Sequence, residues 1–251
     1  MNFHRFVYWK LFAIYNKYSE IRLNYLIPNI KKSIKEYQSK TQSTGTKYSS
    51  LYKAVQIIKK NKPKFLLESG TGTSTIVFAE ILLQLKADDP NYKPKLISME
   101  SIPKWYEMAK GILPEKYKEV VQIILGEREK FEYAMFRGYC HSNIPINNYD
   151  FVFLDGPSYS DEYGDSCCLD ALKVRLISRS KKIVGVIDTR VSSIFVMQSI
   201  FGQKNIKYFS LKRTAKFELK NINSRPELNS NSFKSSLNGM VRLRDDSMIE
   251  N

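Results

Sequence analysis

The segment Phe65-Leu66-Leu67-Glu68-Ser69-Gly70-Thr71-Gly72-Thr73-Ser74-Thr75 constrains this chain more than any other. A short apolar run ends in an acid, two glycines follow in quick succession, and Ser/Thr residues then open a helix-patterned stretch. Gly70 and Gly72 let the backbone turn sharply and approach a ligand, and the helix start behind them presents N–H groups without intrahelical partners. With a strand before it and a helix after it, such a turn reads as a cradle for a nucleotide-type ligand. A glycine turn with no ligand is the competing reading of the same residues.

The remainder of the chain repeats the alternation. Strand-length apolar runs at Phe65–Glu68, Leu96–Glu100, Val120–Leu125, Phe151–Asp155, Ile183–Asp188 and Ile206–Leu211 are interleaved with helix-patterned segments at Ser74–Leu85, Ile102–Ile112, Ser166–Ser180 and Ser192–Phe201. Phe131–Phe136 is the candidate for a helix between the third and fourth strands, and Ala215–Lys220 for a last strand pairing antiparallel at the edge. This order predicts an α/β fold, a Rossmann-like doubly wound, mostly parallel sheet of about seven strands with helices on both faces. Gln38–Ser50 reads as a loop and Leu51–Lys60 as a short helix. The expected division is a basic helical N-terminal extension over 1–45, one domain over 46–220, and a mostly flexible tail over 221–251, rich in Asn, Ser and charge. The 251 residues are 43% hydrophobic, enough for one substantial core and too apolar for a disordered chain.

The formal charge of +15 is distributed unevenly. Residues 1–62 hold 13 Lys/Arg against 2 Glu, a net of +11; residues 63–203 hold 17 against 18, a net of −1; residues 204–251 hold 10 against 5, a net of +5. A neutral, patterned centre suits a cofactor-binding core, and basic ends suit contact with something anionic. Phe3, Phe6, Val7, Leu11, Ile14, Tyr18, Ile21 and Tyr25 recur at three- and four-residue steps, so Phe3–Leu26 is expected to be an amphipathic helix ending near Pro28. Either its stripe packs on the body of the protein, or it docks on a membrane surface or acidic partner through Arg5, Lys10, Lys17 and Arg22. Lys10 and Lys17 interrupt any signal-peptide core, and no stretch is apolar enough to span a bilayer. Cys140, Cys167 and Cys168 form neither a disulfide framework nor a zinc pattern, so a reducing, cytoplasmic setting is expected, with peripheral membrane contact through residues 1–26 as a further possibility.

The pattern E-x-G-x-G-x-S, with Glu68, Gly70, Gly72 and Ser74, resembles motif I of the class I S-adenosylmethionine-dependent methyltransferases. The resemblance implies that Glu68 helps hold the cationic amino-acid end of that cofactor and that Glu100, at the tip of the second strand, accepts from its ribose hydroxyls. Glu127, after the third strand, would lie near the adenine, or else in a hairpin-like turn in solvent. Asp155-Gly156-Pro157 and Ile187-Asp188-Thr189-Arg190 are similar to a subset that methylates oxygen on sugars and other small molecules. Asp155 and Asp188 could serve the acceptor as general base and orienting acid, or Asp188 could simply pair with Arg190. Tyr159 and Arg190 are substrate-binding candidates, as is His141, which reads as part of the Cys140–Asn148 loop before the fourth strand. A divalent metal at Asp155 and Asp188 is the less favoured role, because Thr189 stands where catechol O-methyltransferase-like enzymes carry an Asn ligand. Tyr48, Ser49 and Ser50 resemble a segment that caps the cofactor pocket.

S-adenosylmethionine as cofactor, with an anionic small molecule or glycan as acceptor, is the reading these motifs support. A nucleic-acid methyltransferase using the basic N-terminal region would want an N/D-P-P-Y/F-type motif, which is missing. An NAD(P)-dependent oxidoreductase would want a third glycine where Thr75 stands, and Glu68 would repel a pyrophosphate. A non-catalytic protein held at a membrane by its N-terminal helix shares the fold and differs in everything else.

Overall fold

The structure, a computed structural model, describes residues 3–41, 45–156, 160–161, 164–165 and 167–220, with backbone only at 3–5, 160–161 and 164–165. Tyr159 and the tail 221–251 therefore fall outside the described residues, as do the side chains of Phe3 and Arg5.

Three helices, α1 (Phe3–Leu26), α2 (Ile30–Lys40) and α3 (Tyr48–Asn61), precede the sheet. Then come β1 (Phe65–Ser69), α4 (Thr73–Asp88), β2 (Lys95–Glu100), α5 (Pro103–Ile112), β3 (Val121–Leu125), β4 (Arg128–Tyr133), β5 (Phe136–His141) and β6 (Phe151–Leu154). Two short strands, β7 (Ser160–Asp161) and β8 (Gly164–Asp165), pair with each other; α6 (Asp170–Ile177), β9 (Lys182–Asp188), α7 (Val191–Phe201), β10 (Ile206–Phe209) and β11 (Thr214–Lys220) complete the described elements. The seven-stranded sheet runs β3-β2-β1-β6-β9-β11-β10. All of its pairings are parallel except the two made by β11. The expected doubly wound fold is what the chain adopts. The connections step outward from β1 to β3, then return to β6 on the other side of β1, so the strand order reverses between β1 and β6. Ligands of open α/β sheets bind at that reversal, beyond the carboxyl ends of the strands.

Successive strand residues alternate between two cores, as the pleat requires. Leu66, Phe151, Phe153, Val184 and Val186 join α2, α3 and α4 in one core; Leu67, Val152, Leu154, Ile183 and Ile187 join α6 and α7 in the other. The N-terminal helices share the first core: Leu23, Ile27, Ile30, Ile34 and Tyr37 are all buried in it.

Three expectations need correction. Phe131–Phe136 is not a helix but the turn of a hairpin, in which Tyr133 opposes Phe136 and Phe131 opposes Gly138. Phe131 and Tyr133 alternate toward the second core at strand period, and the reversal at Ala134 (φ 54°) lacks the Asn or Gly that usually announces such a turn. β11 does not lie at the edge; it inserts between β9 and β10, burying Ala215, Phe217 and Leu219 on one face. The stretch 38–50 is partly helical, because α2 continues to Lys40 and α3 begins at Tyr48.

Candidate active site

Glu68, on β1 at the reversal point, is fully buried. Its Oε2 accepts from Thr75 Oγ1 at 2.6 Å and from Ser98 Oγ at 2.7 Å, while its Oε1 makes no hydrogen bond. Burial pushes the carboxyl up to about 7, against the opposing pull of the Ser74, Thr75 and Ser98 hydroxyls. Thr75 Oγ1 also accepts the Gly72 N–H at 3.0 Å. The residue standing in place of a third glycine thus closes the α4 N-terminus on itself and on a carboxylate, which is poor preparation for an incoming pyrophosphate.

Gly70, with φ 94°, passes directly against Gly156 in the loop after β6. A Cβ at Gly70 would stand 2.9 Å from the Gly156 Cα, and one at Gly156 would stand 2.7 Å from the Gly70 Cα. The glycine of D-G-P therefore lets the two loops flanking the reversal point touch. On the next strand, Oε1 of Glu100 accepts the N–H of Ser101 at 2.8 Å and of Ile102 at 3.0 Å. Burial raises its proton affinity, and these N–H groups and His141 offset part of the rise. Glu127 is exposed beyond β3, and its carbonyl accepts the Ser142 N–H at 2.8 Å.

Asp155 is half-buried and Asp188 buried at the tips of adjacent strands β6 and β9. Burial, and then the Asp188 charge, push Asp155 up to about 6, with Thr46, Arg190 and Lys47 opposing. Both acids are held by the segment leading into α3 and by the first turn of that helix. Thr46 Oγ1 donates to Asp155 Oδ2 at 2.6 Å, Ser50 Oγ donates to Asp188 Oδ1 at 2.5 Å, and Lys47 Nζ lies 3.2 Å from Asp188 Oδ2. Arg190, expected as a partner of Asp188, is buried and donates to the Asp155 carbonyl. A divalent cation does not fit this donor set. Both Asp188 oxygens are engaged, one by an ammonium, and no group of three or more His, Cys, Asp or Glu among the described residues could hold a metal ion.

His141 does not sit in a loop but ends β5, fully buried. Its Nδ1 is 2.6 Å from Asp170 Oδ2, and its N–H donates to Asp170 Oδ1 at 2.7 Å. Asp170, in the first turn of α6, also accepts from Ser69 Oγ at 2.5 Å. Burial alone would raise Asp170 and lower His141; their mutual attraction and hydrogen bonds outweigh it, so Asp170 titrates below and His141 above the ordinary value. His141 Nε2 is buried with no hydrogen-bond partner. The Ser69–Asp170–His141 chain thus ties β1, α6 and the hairpin together beside the glycine turn. Sequence reasoning missed Asp170, Thr46 and Lys47. An Asp in the first turn of α6 and the polar leader before Tyr48 were the available signals.

No family model matches the chain, and no curated protein matches it in a sequence search. Among solved structures, it is similar to a candidate caffeoyl-CoA O-methyltransferase from Staphylococcus aureus, at 16% identity and TM-score 0.53, over 82% of this chain and 98% of that one. An S-adenosylmethionine-dependent methyltransferase from Aquifex aeolicus superposes with TM-score 0.40 and 14% identity, over 66% of this chain and 88% of that one. At this identity the first likeness shows the fold alone.

Proposed function

We propose that the protein is an S-adenosylmethionine-dependent methyltransferase that methylates an oxygen on a small, preferably anionic, molecule or acidic sugar. The observation that carries this reading is the pair of buried acids, Glu68 and Glu100, on neighbouring strands at the reversal point. An acid at Glu68 suits a ligand that brings an ammonium and disfavours the pyrophosphate of a dinucleotide, while Glu100 suits a ribose diol. Glu68 also keeps one buried acceptor, Oε1, without a hydrogen-bond partner, which a cationic amino group would satisfy. Glu68 would meet the amino-acid end and Glu100 the ribose, with Gly70 and Gly72 giving the backbone room to approach.

The cofactor supplies a methyl on a sulfonium; the protein has to position the acceptor and take its proton. Asp155 is suited to the second task. Its pKa near 6 leaves it charged at neutral pH yet basic enough to accept a proton from a hydroxyl aligned with the methyl. Asp188 keeps that pKa up by its charge, and Lys47 and Ser50 fix the orientation of Asp188. Lys47 also offers a cation beside the acids, which favours an acceptor carrying its own carboxylate.

Among the described residues, the lysine-rich surface that would suit a nucleic acid lies away from these acids. A cavity of about 600 Å³ is rich in lysine, including Lys53, Lys60, Lys182, Lys204, Lys207 and Lys216. Lys182 begins the strand that Asp188 ends, so phosphates gathered there would be about 20 Å from the acids. Incubation with methyl-labelled S-adenosylmethionine and a panel of uronic acids, phenols and RNA tests the proposal. Label in a uronic acid or phenol, lost with Asp155→Asn, is the expected result; label in RNA alone would overturn the acceptor assignment.

A further inference from the structure

Helix α1 is apolar on two faces. One face buries Phe12, Ser19 and Leu23 against the body, and Arg213 clasps it from the β10–β11 turn, its guanidinium 4.6 Å from the Trp9 ring and 5.4 Å from the Phe12 ring. A second face carries Val7, Leu11, Ile14, Tyr18, Ile21 and Tyr25, all exposed, with Ile14 at 67%, Ile21 at 60% and Tyr25 at 75%; Tyr18, at its border, also meets the Tyr52 ring of α3 at 6.3 Å. Their spacing alternates four and three residues without a break, which aligns all six side chains on one stripe along a helix about 36 Å long. The stripe foreseen from the sequence is therefore not the face that packs on the protein; a second set of residues does that. A monomer seldom leaves so long an apolar stripe in water without a partner for it.

We propose that this face of α1 lies flat on an anionic phospholipid bilayer. The flanking charges decide among occupants. Lys10 and Lys17 border the stripe on one side and Arg22 on the other, as their positions around a 3.6-residue helix require. The helix holds one acid, Glu20, and it is already met by Lys17 at 2.8 Å and Lys31 at 2.7 Å. A second copy of the chain docked through the same stripe would set these cations against one another and would place Tyr18 and Tyr25 where a helical pair wants Leu or Ile. A bilayer surface with acidic headgroups meets the same cations with opposite charge. Tyr, Trp and Phe prefer that depth, with the ring among acyl chains and the polar edge in water. The +11 charge of residues 1–62 adds long-range attraction to such a surface. No described helix is long and apolar enough to cross a membrane, so α1 rests on the surface rather than spanning it.

The test is co-sedimentation of the full chain with phosphatidylcholine vesicles, with and without phosphatidylglycerol, alongside sedimentation equilibrium of the protein alone. Each basic residue at an anionic surface multiplies the partition coefficient about fivefold, so binding should favour the phosphatidylglycerol vesicles by on the order of 100-fold and weaken with added salt. Ile14→Glu with Ile21→Glu should abolish pelleting while leaving the melting temperature unchanged, because neither residue touches the core. A second variant, Lys10→Gln, Lys17→Gln and Arg22→Gln, keeps the apolar stripe and should lose only the preference for acidic lipid. Equal pelleting of wild type and the Ile14/Ile21 variant, or none by either, would overturn the proposal. So would a dimer that the Ile14/Ile21 variant dissociates, which would assign the stripe to a second copy.

Discussion

The two halves of the site are built differently. On the β1–β2 side, Glu68 is held by Thr75 and Ser98, and Glu100 by the two backbone N–H groups that follow it, so each acid is fixed by its own turn or the neighbouring strand. On the β6–β9 side, Asp155 and Asp188 are held by Thr46, Lys47 and Ser50, which lie 109 to 141 residues away in the chain. The first half is assembled from β1, the glycine turn and the neighbouring strand β2. The second exists only once the N-terminal helices have docked and brought the leader of α3 over the strand tips. Cofactor binding should therefore tolerate changes on the acceptor side, whereas proton transfer should respond to residues far away in sequence.

The widest separation is expected from Asp155→Asn, which should lower methyl transfer by about 10²- to 10⁴-fold. Titration with S-adenosylhomocysteine should show its affinity unchanged by that variant; a parallel loss would mean that the two halves are one unit.

Glu68→Gln probes the local half through stability. The Glu68 carboxyl rises from 4.5 unfolded to about 7 folded, so its contribution is full below pH 4.5 and fades as pH climbs through 7. The neutral isostere should remove that decline, gaining up to about 3 kcal/mol above pH 8 in urea unfolding. Matching pH profiles for variant and wild type would contradict the buried, charge-disfavouring setting of Glu68.

Gly156→Ala should cost about 1–3 kcal/mol in thermal unfolding, because its Cβ meets the Gly70 backbone rather than a side chain that can swing away. Of these variants, this one should disturb both halves together.

The smallest effect is a pair of opposite shifts. As a base, Asp155 must be ionised, so the rate should rise with pH through about 6. Asp188→Asn removes a negative neighbour and should move that limb to lower pH; Lys47→Met removes a positive one and should move it higher, each by about one unit or less. Shifts of the same sign would break the assignment of Asp155 as the titrating group.

The same contrast explains what the amino-acid sequence made legible. Strands and helices from Phe65 to Phe201 were readable because their periodicity and glycine punctuation are local, and Glu68 and Glu100 came with them. The hairpin at Phe131–Tyr139 was not, since its turn carries Ala134-Met135 in place of Asn-Gly. The partners of Asp155, Asp188 and His141 were hidden for another reason: Thr46, Lys47 and Asp170 are ordinary polar residues until tertiary packing sets them opposite an acid or an imidazole. The outer stripe of α1 was legible as apolar, but its direction was not, because Phe12 and Leu23 give the helix a second apolar face.

The central claim is that the acids on β1 and β2 hold S-adenosylmethionine. Calorimetric titration of the full chain and of Glu100→Ala with S-adenosylhomocysteine and with NAD tests it most directly. The account predicts saturable binding of S-adenosylhomocysteine, weakened about 10- to 100-fold by Glu100→Ala, as loss of hydrogen bonds to a charged group requires, and no binding of NAD. Binding of NAD, or no heat from S-adenosylhomocysteine, would contradict it.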